Sequence, residues 1–195
     1  MIVRLAVAMG VVTLGFSMLL TAVPLFGASA GLTPGAIGLL VALPALLPVV
    51  LGMRVGERVG GLGARERWLR RGTAGMALAP ALLAAAPHVA VMALAQAWVG
   101  ATQLVAVLSA QAIVAGASEE ATLDRDYAVY ATALSLGRLV GPLGAGLAID
   151  LWGFRATFAA SALATALGAT LAATVASVRP AGRVASTGPT DPRRG

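Results

Sequence analysis

Long apolar blocks divided by short separators rich in helix breakers constrain this chain more than any other feature of its sequence. Six such blocks can be drawn, at about 5–26, 36–56, 70–86, 89–115, 127–149 and 156–178. A hydrocarbon core about 30 Å thick is crossed by about 20 helical residues, with about 17 as a lower limit. None of the blocks alternates with the period of two that a barrel strand requires. The expected fold is therefore all-α, a polytopic membrane protein with six transmembrane helices. Composition agrees, with 58% hydrophobic residues, 11% charged residues and a mean hydropathy of +0.88. A water-soluble domain of this length cannot hide so much apolar surface.

The separators are Gly27 to Gly35 with Pro34, Glu57 to Arg71, Pro87-His88, Ser118 to Asp126, and Asp150 to Arg155. Ala28-Ser29-Ala30 resembles a signal-peptidase site, but the first apolar run is longer than the roughly 7–15 residues of a signal h-region. It is expected to stay as a spanning helix. Residues 179–195, made largely of Pro, Gly, Arg, Ser and Thr, are expected to form a disordered cytoplasmic tail.

All 14 basic residues are arginine, and their distribution sets an orientation. With the N-terminus inside, twelve lie on the cytoplasmic side, Arg155 lies outside and Arg138 falls within a span. That bias predicts an inner or plasma membrane protein with both termini cytoplasmic. The net charge of +6 then reflects topology, and no nucleic-acid partner is expected, because aromatics are only 5% and the arginines sit in loops between apolar blocks. The bilayer is the partner that composition implies.

The chain has no cysteine and a single histidine, His88. Disulfides, thiolate sites and multi-histidine metal sites are thereby excluded, and no metal or cofactor is expected. His88 reads as an exposed residue of an outer turn. No nucleophile elbow and no facing carboxylates are visible, so the chain is not expected to be an enzyme.

Some polar residues fall where lipid would penalise them. Thr13, Ser17 and Thr21 recur at i, i+4 and i+8 on the first helix, while Gln96, Gln103 and Gln111 lie close to one face of the fourth. Thr13, Ser17, Thr21, Gln96 and Gln103 either hydrogen-bond between helices inside the bundle or line a polar cavity. Arg138 is the one charge deep in a span, at a cost of about 2.5–3.5 kcal/mol on insertion scales. Two roles stay open for it, bonding helix carbonyls or meeting an anionic group in the cavity. In the fifth block Ala133, Gly137, Gly141 and Ala145 recur every four residues, a stripe that lets another helix approach closely. Pro142 removes a backbone hydrogen bond there and is expected to bend the helix.

The run from Gly137 through Arg138, Gly141, Pro142 and Gly146, then Asp150, Gly153, Arg155 and Phe158, resembles the fifth helix and following outer loop of the major facilitator superfamily, with Ala145 where that pattern has glycine. Glu57-Arg58-Val59-Gly60, followed by Arg65, Arg67, Arg70 and Arg71, is similar to that family's loop between the second and third helices, with Glu57 in place of aspartate. Gln96-Ala-Trp-Val-Gly100 stands where the family has Arg-x-x-x-Gly. The resemblance covers residues 1–178.

It implies a secondary transporter of a small solute of unknown identity, with efflux as one direction, in which the first and fourth helices line the cavity. It also gives Glu57, Arg58, Gly60, Gly137, Gly141, Pro142, Gly146, Asp150 and Arg155 conformational or packing roles. Members of the family have twelve helices in two halves with the solute site between them. This chain is expected to be the N-terminal half, either truncated or completed by a second six-helix half or a second copy. The polar stripes and the glycine stripe around Gly141 are then expected to be bare in one copy alone. The alternative is a non-transporting bundle that serves association.

Overall fold

Five separators were expected between the six spans, but helix extends into most of them. In a computed structural model of the protein, which describes residues 1–59 and 64–177, excepting the side chains at 47, 50–52, 54–59 and 176–177, helices run over Ile2–Ser29 (α1), Pro34–Val59 (α2), Ala64–Ala85 (α3), Val89–Ala117 (α4) and Leu123–Ser177 (α5), with a 3₁₀ turn at Glu120–Thr122. No strand occurs among the described residues. Pro34 opens α2, where its missing N–H costs nothing. His88 turns out to be the cap of α4, its Nδ1 accepting from the Ala90 N–H at 3.2 Å.

Two boundaries differ from the sequence reading. The arginine-rich separator before the third block is helical from Ala64, so Arg65, Arg67, Arg70 and Arg71 ride on the first turns of α3. Arginine is a good helix former and keeps its head in water while its stem lies along apolar surface, so hydropathy alone starts this helix too late. The expected outer loop at Asp150–Arg155 is likewise absent. Two helices instead meet directly at Gly153, whose φ of 77° and ψ of 175° lie where essentially only glycine is stable. The fifth and sixth blocks thus form two helical arms of α5 that meet at a kink at Gly153.

α1 is the core of the bundle. α5 clasps it, α3 packs on α5 and α4, and α2 lies at the edge, chiefly on α4. The register fixes the directions. Gly137 meets Gly10 and Leu14 while Gly141 meets Leu14, Ser17 and Met18, so the first arm of α5 runs parallel to α1. Ser161 and Thr165 meet Gly15 while Gly168 meets Ala8 and Val12, so the second arm runs back antiparallel. Phe26 closes that end edge-on against Phe154 and Phe158, with ring centroids 5.3 and 5.9 Å apart.

Those contacts sort the arginines by end of the bundle. Arg155 reaches the last carbonyls of α3, at the end that holds Phe26 and Gly153. Arg65 reaches α4 at Ala112, at the opposite end, where Arg4 flanks Leu171, Thr174 and Val175. Among the described residues α1, α4 and the stretch Glu120–Val175 are long and apolar enough to cross a membrane, and Pro34–Leu46 is a shorter apolar segment. Exposed Leu139, Leu143, Leu147 and Leu151 form an apolar stripe on α5 suited to lipid contact.

Candidate functional site

Small residues on α5 let it approach the backbone of α1 on two sides. A Cβ added at Gly141 would lie 2.6 Å from the Ser17 Cβ and 2.8 Å from the Leu14 carbonyl oxygen. One at Gly10 would lie 2.9 Å from the carbonyl oxygen of Ala133. Gly137 and Ala145 are buried along the same line, and Ala145 has no exposed surface. Gly146 is half-buried with open space beside it, and Pro142 is exposed within helical backbone.

This placement corrects the expectation that the stripe is bare in one copy. Gly137 and Gly141 are covered by α1 of the same chain, and so are Thr13 and Ser17, both buried. The reason is that the polar stripe of α1 and the glycine stripe of α5 fit each other, so each satisfies the close packing that the sequence assigned to a missing half. Thr21 is half-buried and donates from its hydroxyl to the Ser17 carbonyl of its own helix, 3.0 Å away. None of the three stands on an open cavity wall.

Gln96 is placed differently. It has no exposed surface, and its Nε2 donates across to the Leu40 carbonyl of α2 at 3.3 Å. Its Oε1 is buried and no described residue donates to it. An unsatisfied buried acceptor costs about 1–3 kcal/mol, so this oxygen is the most demanding polar atom near the predicted cavity helix. Gln103, two turns on, is half-buried, and Gln111 is exposed, its backbone carbonyl accepting from the Tyr127 hydroxyl at 3.2 Å. α4 therefore does not present its glutamines as one equivalent row.

The charged candidates separate as well. Arg155 donates from Nε to the Ala84 carbonyl at 2.8 Å and from Nη2 to that of Ala85 at 3.4 Å, satisfying the open carbonyls at the end of α3. Arg65, which the sequence reading treated as one of a loop cluster, donates to the Ala112 carbonyl at 2.9 Å and ties α3 to the last turns of α4. Arg138 is exposed and makes no hydrogen bond to a described residue. Asp150 is exposed. Glu57 and Arg58 lie on α2 with side chains outside the description, and Gly60 and the tail at 179–195 lie outside the described residues.

Sequence reasoning missed the second clasp. Ser161, Thr165 and Gly168 form a small-residue line like that of the first arm, and the Ser161 hydroxyl donates to the Gly15 carbonyl at 2.7 Å. The spacing of these small residues was visible, but no proline or familiar motif accompanied it. A groove of about 350 Å³ between α1 and α5, lined by Val3, Arg4, Val7, Leu171, Thr174 and Val175, contains none of the predicted cavity residues.

A search among curated proteins finds no match for this chain. The sequence model of the Major Facilitator Superfamily, in contrast, matches residues 5–194. That span runs from the first turn of α1 to beyond the end of α5 and takes in the motif residues from Glu57 and from Gly137. With nearly its whole length matched and its described residues folded into apolar helices around α1, the chain is a multi-pass membrane protein that belongs to the major facilitator superfamily of transporters.

Proposed function

We propose that the chain moves a small solute as one half of a two-bundle transporter, acting with a second copy or with a separate six-helix partner. The observation that carries this reading is Gln96, a fully buried amide inside an apolar bundle whose Oε1 finds no donor among the described residues. An acceptor so placed is matched by a solute that brings a hydroxyl, amide or ammonium group, and Gln103 on the same helix extends the polar surface. Exposed Arg138 is a secondary contact, suiting an anionic group. Both termini are cytoplasmic in an inner or plasma membrane on this reading, since Arg4, Arg65, Arg67, Arg70, Arg71 and Arg125 gather at one end of the bundle and Arg155 stands at the other. Efflux is the proposed direction.

The test is saturable flux in membrane vesicles from cells producing the chain, across a panel of anionic, cationic and neutral hydrogen-bond donors. Flux above vector controls, reduced by Gln96→Met, is expected for at least one class. No flux for any class from folded, membrane-inserted protein would leave the non-transporting association bundle as the reading.

A further inference from the structure

The partner of Gln96 has a further meaning in the geometry of α2. In an α-helix the Leu40 carbonyl accepts from the N–H four residues on, and that residue is Pro44, which has none. The Gln96 amide donates to this same oxygen. A side chain of α4 therefore supplies the hydrogen bond that the backbone of α2 cannot make.

A second contact falls one turn away on both helices. Gly100 faces the backbone of Pro44, and a Cβ there would lie 2.5 Å from the Pro44 Cα and 2.8 Å from its carbonyl carbon. Pro44 is buried at this crossing. Pro48 withholds the next N–H in turn, leaving the Pro44 carbonyl without a helical donor. Beyond it Val49 and Met53, one turn apart on α2, are 84% and 88% exposed. α2 is thus attached at the point where two successive backbone hydrogen bonds are missing. A helix held this way bends where the bonds are lacking and is steered by whatever replaces them.

We propose that Gln96 is the positioning residue of a hinge in α2: its amide stands in for the N–H that Pro44 lacks and so sets the angle at which the half of α2 beyond Pro44 leaves α4. Gly100 is the fulcrum, since any side chain there lifts Pro44 off α4. The hinge is a property of this chain's packing and stands whether or not Gln96 also contacts a solute.

The chain contains no cysteine, so spin labels can be attached without background at Met53→Cys on α2 and Ala115→Cys on α4, both exposed positions. The distance distribution between them, and the melting temperature in detergent, are measured for Gln96→Met in the natural background and again with Pro44→Ala, which restores the backbone N–H. Gln96→Met is expected to broaden the distribution and lower the melting temperature with Pro44 present, and to do so at most half as strongly with Pro44→Ala. Folding only in the Pro44→Ala background would support the proposal equally. An equal effect in the two backgrounds, no effect in either, or failure to fold in both would overturn it, because the amide would then not be replacing the N–H of Pro44.

Discussion

The Ser161 hydroxyl and the Gly15 carbonyl meet 2.7 Å apart in the interior, joining the second arm of α5 to α1. A Cβ at Gly15 would lie 2.7 Å from the Ser161 carbonyl oxygen and 2.8 Å from the Thr165 nitrogen, so the bond forms only because Gly15 has no side chain. Loss of the hydroxyl in Ser161→Ala removes one interhelical bond, worth about 0.6 kcal/mol. Gly15→Ala instead pushes two backbones apart. Thermal unfolding in detergent is expected to show the larger loss for Gly15→Ala, and equal losses would contradict the close approach.

The first arm of α5 gives a matched pair. Gly141→Leu forces a side chain into Ser17 and the Leu14 carbonyl, whereas Leu143, 63% exposed, has room for change. Gly141→Leu is expected to abolish monodisperse folded protein or lower its melting temperature strongly, and Leu143→Ile to leave it unchanged. Size-exclusion profiles and melting curves decide between them.

Three arginines are expected to behave in order of their contacts. Arg65→Ala loses a partly buried bond to the end of α4 and should cost about 1–2 kcal/mol, as for cations near a helix C-terminus. Arg155→Ala, at an exposed site on the end of α3, should cost less, with Arg155→Lys recovering part of the loss. Arg138→Ala should leave the folded yield unchanged, because no described residue bonds it. A reduced yield for Arg138→Ala would give it a structural role.

Segregation of arginine by bundle end predicts the topology. Reporters fused after Arg71 or Ser118 should read cytoplasmic, and those after Ser29 or Trp152 external. An external reading after Arg71 would reverse the proposed orientation.

Much of this architecture was legible in the residues. Apolar blocks gave the helices, and the four-residue recurrence of Gly137 and Gly141 marked a packing line. What the spacing did not specify was the partner. The line closes on Gly10, Leu14 and Ser17 of α1, because a small-residue stripe fits any helix with a matching stripe and the sequence does not rank them. The junction at Gly153 read as a loop because its polar flanks resemble one, while a single glycine at positive φ was enough to reverse the chain. Gln96 read as a cavity residue from its polarity and from the place of the fourth helix in the resembled family. Its bond to Leu40 followed from Pro44, fifty-two positions earlier, a pairing that only the packing of α4 on α2 makes visible.

The proposal that one copy is half of a working transporter is tested most directly by reconstitution at a dilution where single-molecule photobleaching shows one copy per liposome. A solute carried by vesicles from producing cells should not be carried by these liposomes, and flux should return at two copies per liposome or on adding a six-helix partner. Saturable flux from liposomes holding one copy would contradict the account and make the chain a self-sufficient carrier.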